Sequence, residues 1–210
     1  MAAQEVATRV AQALRDSSRR RGDTGLIVPG GRSPRRVFEL LVHESIPWHD
    51  IIIIPSDERV VPDGDRERND VMIRKQLIND LRIRPQFLPM LDGASKDISV
   101  GTIASFPWPA EVAILGMGSD GHVASLFPGQ ESSWESSTRW VHGVAPEAPL
   151  NRISLSLDTL RETRRTMLLV FGQEKNATYQ KARGDNPSAF PVSALLRPGQ
   201  GLLEVHRTYE

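Results

Sequence analysis

Residues 51–59 read Ile51-Ile52-Ile53-Ile54-Pro55-Ser56-Asp57-Glu58-Arg59: four β-branched apolar side chains, then a proline and a charged turn. Successive side chains on a strand point to opposite faces, so an unbroken apolar run leaves no face for water. Such a strand belongs at the centre of a sheet covered on both sides, which is the habit of parallel sheets. Leu26-Ile27-Val28, Val112–Leu115 and Met167–Phe171 are short apolar runs of the same kind, and Leu202–Val205 predicts a last strand. Between them lie helical patterns. Val6, Val10, Ala13 and Leu14 recur at helical spacing and predict an amphipathic helix over 3–21, ended by Gly22. A second helix opens near Pro34, where proline is tolerated at a first helical position, and turns Val37, Phe38, Leu40 and Leu41 inward. Others are predicted over 70–81 and 173–183.

Strands alternating with helices predict a doubly wound α/β sheet that is mainly parallel. The segment 84–108, rich in Pro and Gly, reads as irregular with one strand near Phe87. Residues 130–150 read as loop, with Trp134 and Trp140 covering the edge of the core. Ile153-Ser154-Leu155-Ser156-Leu157 alternates with period two and predicts a strand with one wet face. No repeat, low-complexity linker or composition step divides the chain, so residues 1–210 are expected to form one domain.

Composition narrows the function classes. The 26 basic and 26 acidic residues cancel, so no global field recruits nucleic acid or an anionic membrane. Arg19-Arg20-Arg21 closes the first helical pattern and reads as cations at a helix C-terminus. Cysteine is absent, which removes disulfides, thiolate metal sites and a cysteine nucleophile together. No apolar run approaches the roughly 20 residues that span a bilayer, and the first 20 residues carry no signal-peptide core. The expectation is a cytoplasmic protein, monomeric, with no nucleic-acid or membrane partner.

The chemistry-bearing stretch is EVAILGMGSDGHVASLFPGQ, residues 111–130. Gly116, Gly118 and Gly121 satisfy GxGxxG after an apolar strand. A dinucleotide fingerprint also needs a long helix next and a second strand ending in an acid about 20 residues on. Here Pro128 follows His122 by six residues, and ESSWESSTRW is no buried strand. A catalytic turn fits better: glycines let backbone approach a ligand and leave N–H groups free. Asp120 and His122 lie two apart just past a strand end, where open α/β sheets bind ligands and a histidine can serve as a base near neutral pH. On spacing alone a capped Asp-Gly turn with a solvated histidine is an equal reading. Gly30-Gly31-Arg32-Ser33-Pro34 leads into a helix N-terminus that favours an anion, or is a tight turn with Ser33 as its cap. Asp57-Glu58-Arg59, Arg152 and Lys175 each read singly as surface charge. Four such polar loops at strands of one sheet are harder to dismiss together.

These pieces occur in a known order. GGRSP, SDERVVP with Asn69 downstream, LGMGSDGHVASLFPG, NRISLSL and FGQEK together resemble the 6-phosphogluconolactonases, which share a superfamily with the glucosamine-6-phosphate isomerase/deaminases. The match covers about residues 25–196, and DGHVASLFPG is its most specific piece. The resemblance implies a Rossmann-like three-layer α/β/α domain that hydrolyses 6-phospho-D-glucono-1,5-lactone to 6-phosphogluconate in the oxidative pentose phosphate pathway, with no cofactor and no catalytic metal. It implies His122 as the base on water, with Asp120 and Asp57 as catalytic carboxylates. Arg152 and Lys175 would hold the sugar phosphate, helped by Gly31, Arg32 and Ser33, with Arg59 as the basic member of the DER loop. The deaminases place a glutamate five residues after the histidine, where this chain has Phe127, and usually carry tyrosine where it has Arg59; both favour the lactonase. The family loop usually reads GGSTP, so Arg32 is a departure that either touches phosphate or points to water. A deaminase-type enzyme and a non-catalytic sugar-phosphate-binding protein are the competing readings. No GxSxG occurs to suggest a serine esterase, and the other histidines, His43, His49, His142 and His206, show no metal-ligand spacing.

Overall fold

The computed structural model describes residues 2–93, 98–149, 151–184, 190–197, 199 and 201–209. Its strands are β1 (Thr24–Val28), β2 (Ile51–Pro55), β3 (Asp57–Arg59), β4 (Gln86–Phe87), β5 (Val112–Gly116), β6 (Trp140–Val144), β7 (Asn151–Leu155), β8 (Arg165–Phe171) and β9 (Leu202–Thr208). Its α-helices are α1 (Ala2–Arg21), α2 (Arg35–Leu41), α3 (Asn69–Ile73), α4 (Val100–Ser105), α5 (Leu157–Glu162), α6 (Gln173–Ala182) and α7 (Pro191–Leu196). A π-helical turn, Arg74–Ile78, extends α3.

Six strands form a sheet in the order β4-β2-β1-β5-β8-β9, and every pairing in it is parallel. The isoleucine run explains why. Ile51 and Ile53 pack into one apolar core while Ile52 and Ile54 pack into the other. Leu26 and Ile27, Val112 and Ala113, and Met167 and Leu168 divide in the same way. Helices α1, α2 and α3 cover the first face with Val6, Val10, Leu14, Phe38 and Ile73. The second is covered by Leu157 and Leu160 of α5, Tyr179 of α6, and Val192 and Leu195 of α7. The result is three layers, α/β/α.

The helix over 3–21 runs from Ala2 to Arg21, with Gly22 at φ 72° beyond it. Its terminal arginines meet Glu111: Arg21 pairs with that carboxylate, and Arg20 stands 3.6 Å from it. Three expectations are corrected. Residues 130–150 are not all loop, because β6 pairs antiparallel with β7 and β7 with β3 in a second sheet. The alternating stretch 153–157 has no wet face: Ser154 and Ser156 are fully buried. Ser154 Oγ accepts the Ser125 N–H, and Ser156 caps α5 through the Thr159 N–H. Hydrogen bonding inside the protein replaces the water that period-two polarity suggested. Finally, α4 lies within the segment read as irregular.

Chain order creates the crevice. From β1 the chain steps to β2 on one side, and β5 later pairs on the other side of β1. The loops leaving β1 and β5 therefore diverge at the carboxyl ends of the strands, where doubly wound sheets take their ligands.

Candidate active site

The turn after β5 closes on itself. Met117 bridges Val123, the Gly118 N–H donates to the His122 carbonyl, and the Gly121 N–H donates to the Gly118 carbonyl. No helix follows, so the GxGxxG geometry of dinucleotide sites is absent. The glycines serve the turn instead. Gly121 sits at φ 85°, a conformation open to glycine. At Gly118 a Cβ would lie 2.2 Å from His122 Nδ1 and 2.5 Å from Asp120 Oδ1. The expectation of free amides is corrected: those of Gly118, Gly121 and His122 are bonded within the turn.

His122 Nδ1 lies 2.6 Å from Asp120 Oδ1, with the two side chains 35% and 40% exposed. Burial alone would raise the Asp120 carboxyl, but the hydrogen bond and charge of His122 outweigh it and hold it below the ordinary range. With the carboxylate accepting from Nδ1–H, Nε2 carries the free lone pair. The ring also packs on Phe127, centroids 5.0 Å apart.

His122 lines a cleft of about 260 Å³ together with Gly31, Arg32, Ser33, Asp57, Arg59, Arg152 and Lys175. Asp120 does not line it and meets His122 from the turn side. The cleft thus gathers side chains from five separate segments of the sequence, from Gly31 to Lys175. Ser33 is not a helix cap: Pro34 precedes α2, and Ser33 Oγ accepts from Lys175 Nζ at 2.9 Å. Burial and the neighbouring Arg32 charge push the lysine below its ordinary value, against Glu174.

Arg59 and Arg152 face each other across the β3–β7 ladder. Like charges directly opposite are unfavourable, so the pair makes sense where an anion comes between or beside them. Arg59 is steadied by the Glu67 carbonyl at 2.7 Å. Arg152 is 9% exposed, and its guanidinium reaches the Asn151 carbonyl only over a long 3.5 Å. Burial and the Arg59 charge lower it, opposed by Asp57, Glu58 and Glu67.

Sequence reasoning left several contributors unassigned. Ser125 lines the cleft and donates to Asp57 Oδ2 at 2.7 Å. Asn69 also lines it and donates to the Asp57 carbonyl at 2.8 Å. Its side chain packs where a Cβ on Gly30 would sit, 2.0 Å away, so it locks the glycine loop against β3. Glu58 is fully buried and accepts the N–H groups of Arg59, Asn69 and Asp70. Burial pushes its carboxyl up to about 7, against those three bonds. Only Asn69 had a signal, its place beyond SDERVVP; the others depend on contacts that spacing does not encode. His142 is exposed on β6 with its ring edge-on to Trp140, away from the cleft wall.

A 6-phosphogluconolactonase from Caulobacter vibrioides is 34% identical over 206 residues, covering 92% of this chain and 87% of its own. One from Neisseria meningitidis serogroup A is 30% identical over 207 residues, covering 93% and 89%. The crystal structure of a 6-phosphogluconolactonase from Shewanella baltica OS155 superposes with a TM-score of 0.91 at 29% identity, covering 98% of this chain and 92% of that one. The family model described as glucosamine-6-phosphate isomerases/6-phosphogluconolactonase matches residues 1–205. With that match over nearly its whole length, the chain belongs to the glucosamine-6-phosphate isomerase/6-phosphogluconolactonase family.

Proposed function

We propose that this protein is a 6-phosphogluconolactonase, hydrolysing 6-phospho-D-glucono-1,5-lactone to 6-phosphogluconate as a step of the oxidative pentose phosphate pathway. Relatives at 30–34% identity with that activity in their names support the enzyme class. The observation that carries the mechanism is the His122–Asp120 pair at 2.6 Å, with the ring on the wall of a cleft that also holds four basic side chains.

His122 Nε2 takes a proton from water as the water oxygen bonds to C1. The tetrahedral centre then collapses, the C1–ring oxygen bond breaks, and the imidazolium returns its proton to that oxygen. Asp120 keeps Nδ1–H engaged, so the correct nitrogen faces the water, and it stabilises the imidazolium that forms. Arg152 and Lys175 hold the phosphate with Gly31, Arg32 and Ser33, and Arg59 completes the cationic wall; Asp57 is the carboxylate on the substrate side. Anchoring a remote phosphate spends binding energy on aligning the carbonyl. The single domain, cytoplasmic setting and monomeric state belong to the same proposal; none of the described helices is long and apolar enough to cross a membrane.

The deaminase reading is disfavoured by Phe127, which is buried against His122 where the resemblance would place a glutamate. The decisive assay uses freshly generated 6-phosphogluconolactone, coupled to 6-phosphogluconate dehydrogenase, against the spontaneous rate. Acceleration by the wild-type protein is expected. No acceleration, or ammonia release from glucosamine 6-phosphate instead, would overturn the proposal, and tight binding without turnover would indicate a sugar-phosphate-binding protein.

A further inference from the structure

Asp57 is the one acidic side chain among the described residues lining the cleft; the basic groups there are Arg32, Arg59, Arg152 and Lys175, with the ring of His122 beside them. A carboxylate repels the substrate's phosphate, so its presence calls for a ligand with hydrogens to donate. Its own partners are specific. Oδ1 accepts from Ser56 Oγ and Oδ2 from Ser125 Oγ, both at 2.7 Å. Each oxygen has a second acceptor position, and hydroxyl groups are the donors a sugar lactone offers, at C2, C3 and C4.

Ser125 is gripped on every side. Its N–H donates to Ser154 Oγ at 3.1 Å, and Ser154 is the cross-strand partner of Asp57. Its carbonyl lies 2.4 Å from where a Cβ on Gly143 would stand, so β6 closes over it. Ala124, just before it, has φ 50°, a left-handed conformation uncommon for a residue with a side chain. That reversal lets the turn carrying His122 also carry Ser125 into contact with Asp57. Such strain in a non-glycine residue marks a position held by its surroundings.

From this we infer that Ser125 is a positioning residue that holds Asp57 as an acceptor for the lactone's ring hydroxyls, making the Asp57–Ser125 pair a determinant of sugar specificity. The inference rests on the lactonase reading of the site. Asp57 then contributes by recognition, while proton transfer at C1 belongs to His122. The hydroxyl bond also fixes the ring between the cationic wall and the histidine.

The test compares wild type, Ser125→Ala, Ser125→Thr and Asp57→Asn on 6-phosphogluconolactone and its 2-deoxy, 3-deoxy and 4-deoxy analogues. Ser125→Ala is expected to raise KM for the parent lactone about tenfold with kcat within about twofold, a part of the value of a hydrogen bond to a charged group. On at least one deoxy analogue the loss should vanish, because wild type has already lost the same contact; coupled partners are non-additive in this way. Ser125→Thr, which keeps the hydroxyl, should restore KM. Equal losses on every analogue, or a fall in kcat at unchanged KM, would overturn the inference. If Ser125→Ala does not fold, Asp57→Asn on the same analogues decides by the same criterion. If wild type turns over no lactone, the functional reading has failed separately. Calorimetry of 6-phosphogluconate against its 2-, 3- and 4-deoxy forms then judges the acceptor role: equal affinities refute it, and a weaker deoxy ligand supports it.

Discussion

In the proposed mechanism His122 works at the reacting end of the substrate and Lys175 at its anchoring end, and each role has a separate kinetic signature. General-base catalysis is typically worth about 10²–10⁴-fold, so His122→Ala is expected to cut kcat by a factor in that range while KM moves little. Full turnover by this variant in the coupled assay would remove the ring from the mechanism. Lys175, bonded to Ser33 Oγ, is the proposed phosphate anchor. Lys175→Ala should raise KM by about 10–100-fold, the order of a lost charged hydrogen bond, and an unchanged KM would refute that role. His122 was legible in sequence as a candidate base just past a strand end, whereas Lys175 read singly as a surface charge and drew its role from the family resemblance. Ser125 was not legible: serine is common, and nothing local says that its hydroxyl meets a carboxylate 68 residues earlier.

At the scale of the element, the turn 116–127 is closed by its own backbone hydrogen bonds and leaves no room for a side chain at Gly118. Gly118→Ala would put a methyl against both His122 Nδ1 and Asp120 Oδ1. Because those two side chains are partly exposed, they can swing away without unfolding the core. Misplacement of about 1 Å can cost about 10²-fold; kcat is therefore expected to fall by about that factor while the melting temperature stays within a few degrees of wild type. An active Gly118→Ala would mean that the pair is not held as described. The β3 element shows the opposite balance. Its three residues were legible as a charged cluster, but their division of labour was not. Asp57 and Arg59 line the cleft, whereas Glu58 between them turns inward to the start of α3. Strand alternation demands that split once the segment is known to be a strand.

At the scale of the molecule, Glu58 links the site to stability. Its carboxyl ordinarily titrates at 4.5 and is raised by burial to about 7. Between these values the folded state keeps a proton that the unfolded chain has released. Its contribution is therefore complete below 4.5 and is lost as pH rises through 7, a change of order 3 kcal/mol at about 1.4 kcal/mol per unit. Denaturant titrations at pH 4.5, 6 and 8 should show Glu58→Gln with a lower baseline but without this decline; parallel pH profiles for both proteins would refute the linkage. What the amino-acid order determined by itself was the mainly parallel α/β frame: Ile51–Ile54 and its counterparts have no polar face, and only burial between two helical layers satisfies them. It also determined which scarce groups could do chemistry, since their identities and places after strands are local properties. The second sheet was decided by tertiary structure, because the buried Ser154 and Ser156 look solvent-facing until their hydrogen-bond partners are known. So was the meeting of Arg59 with Arg152, of Lys175 with Ser33, and of Asp57 with Ser125. Those contacts join residues far apart along the chain, and only the crossing of β1 and β5 to opposite neighbours brings their loops to one cleft.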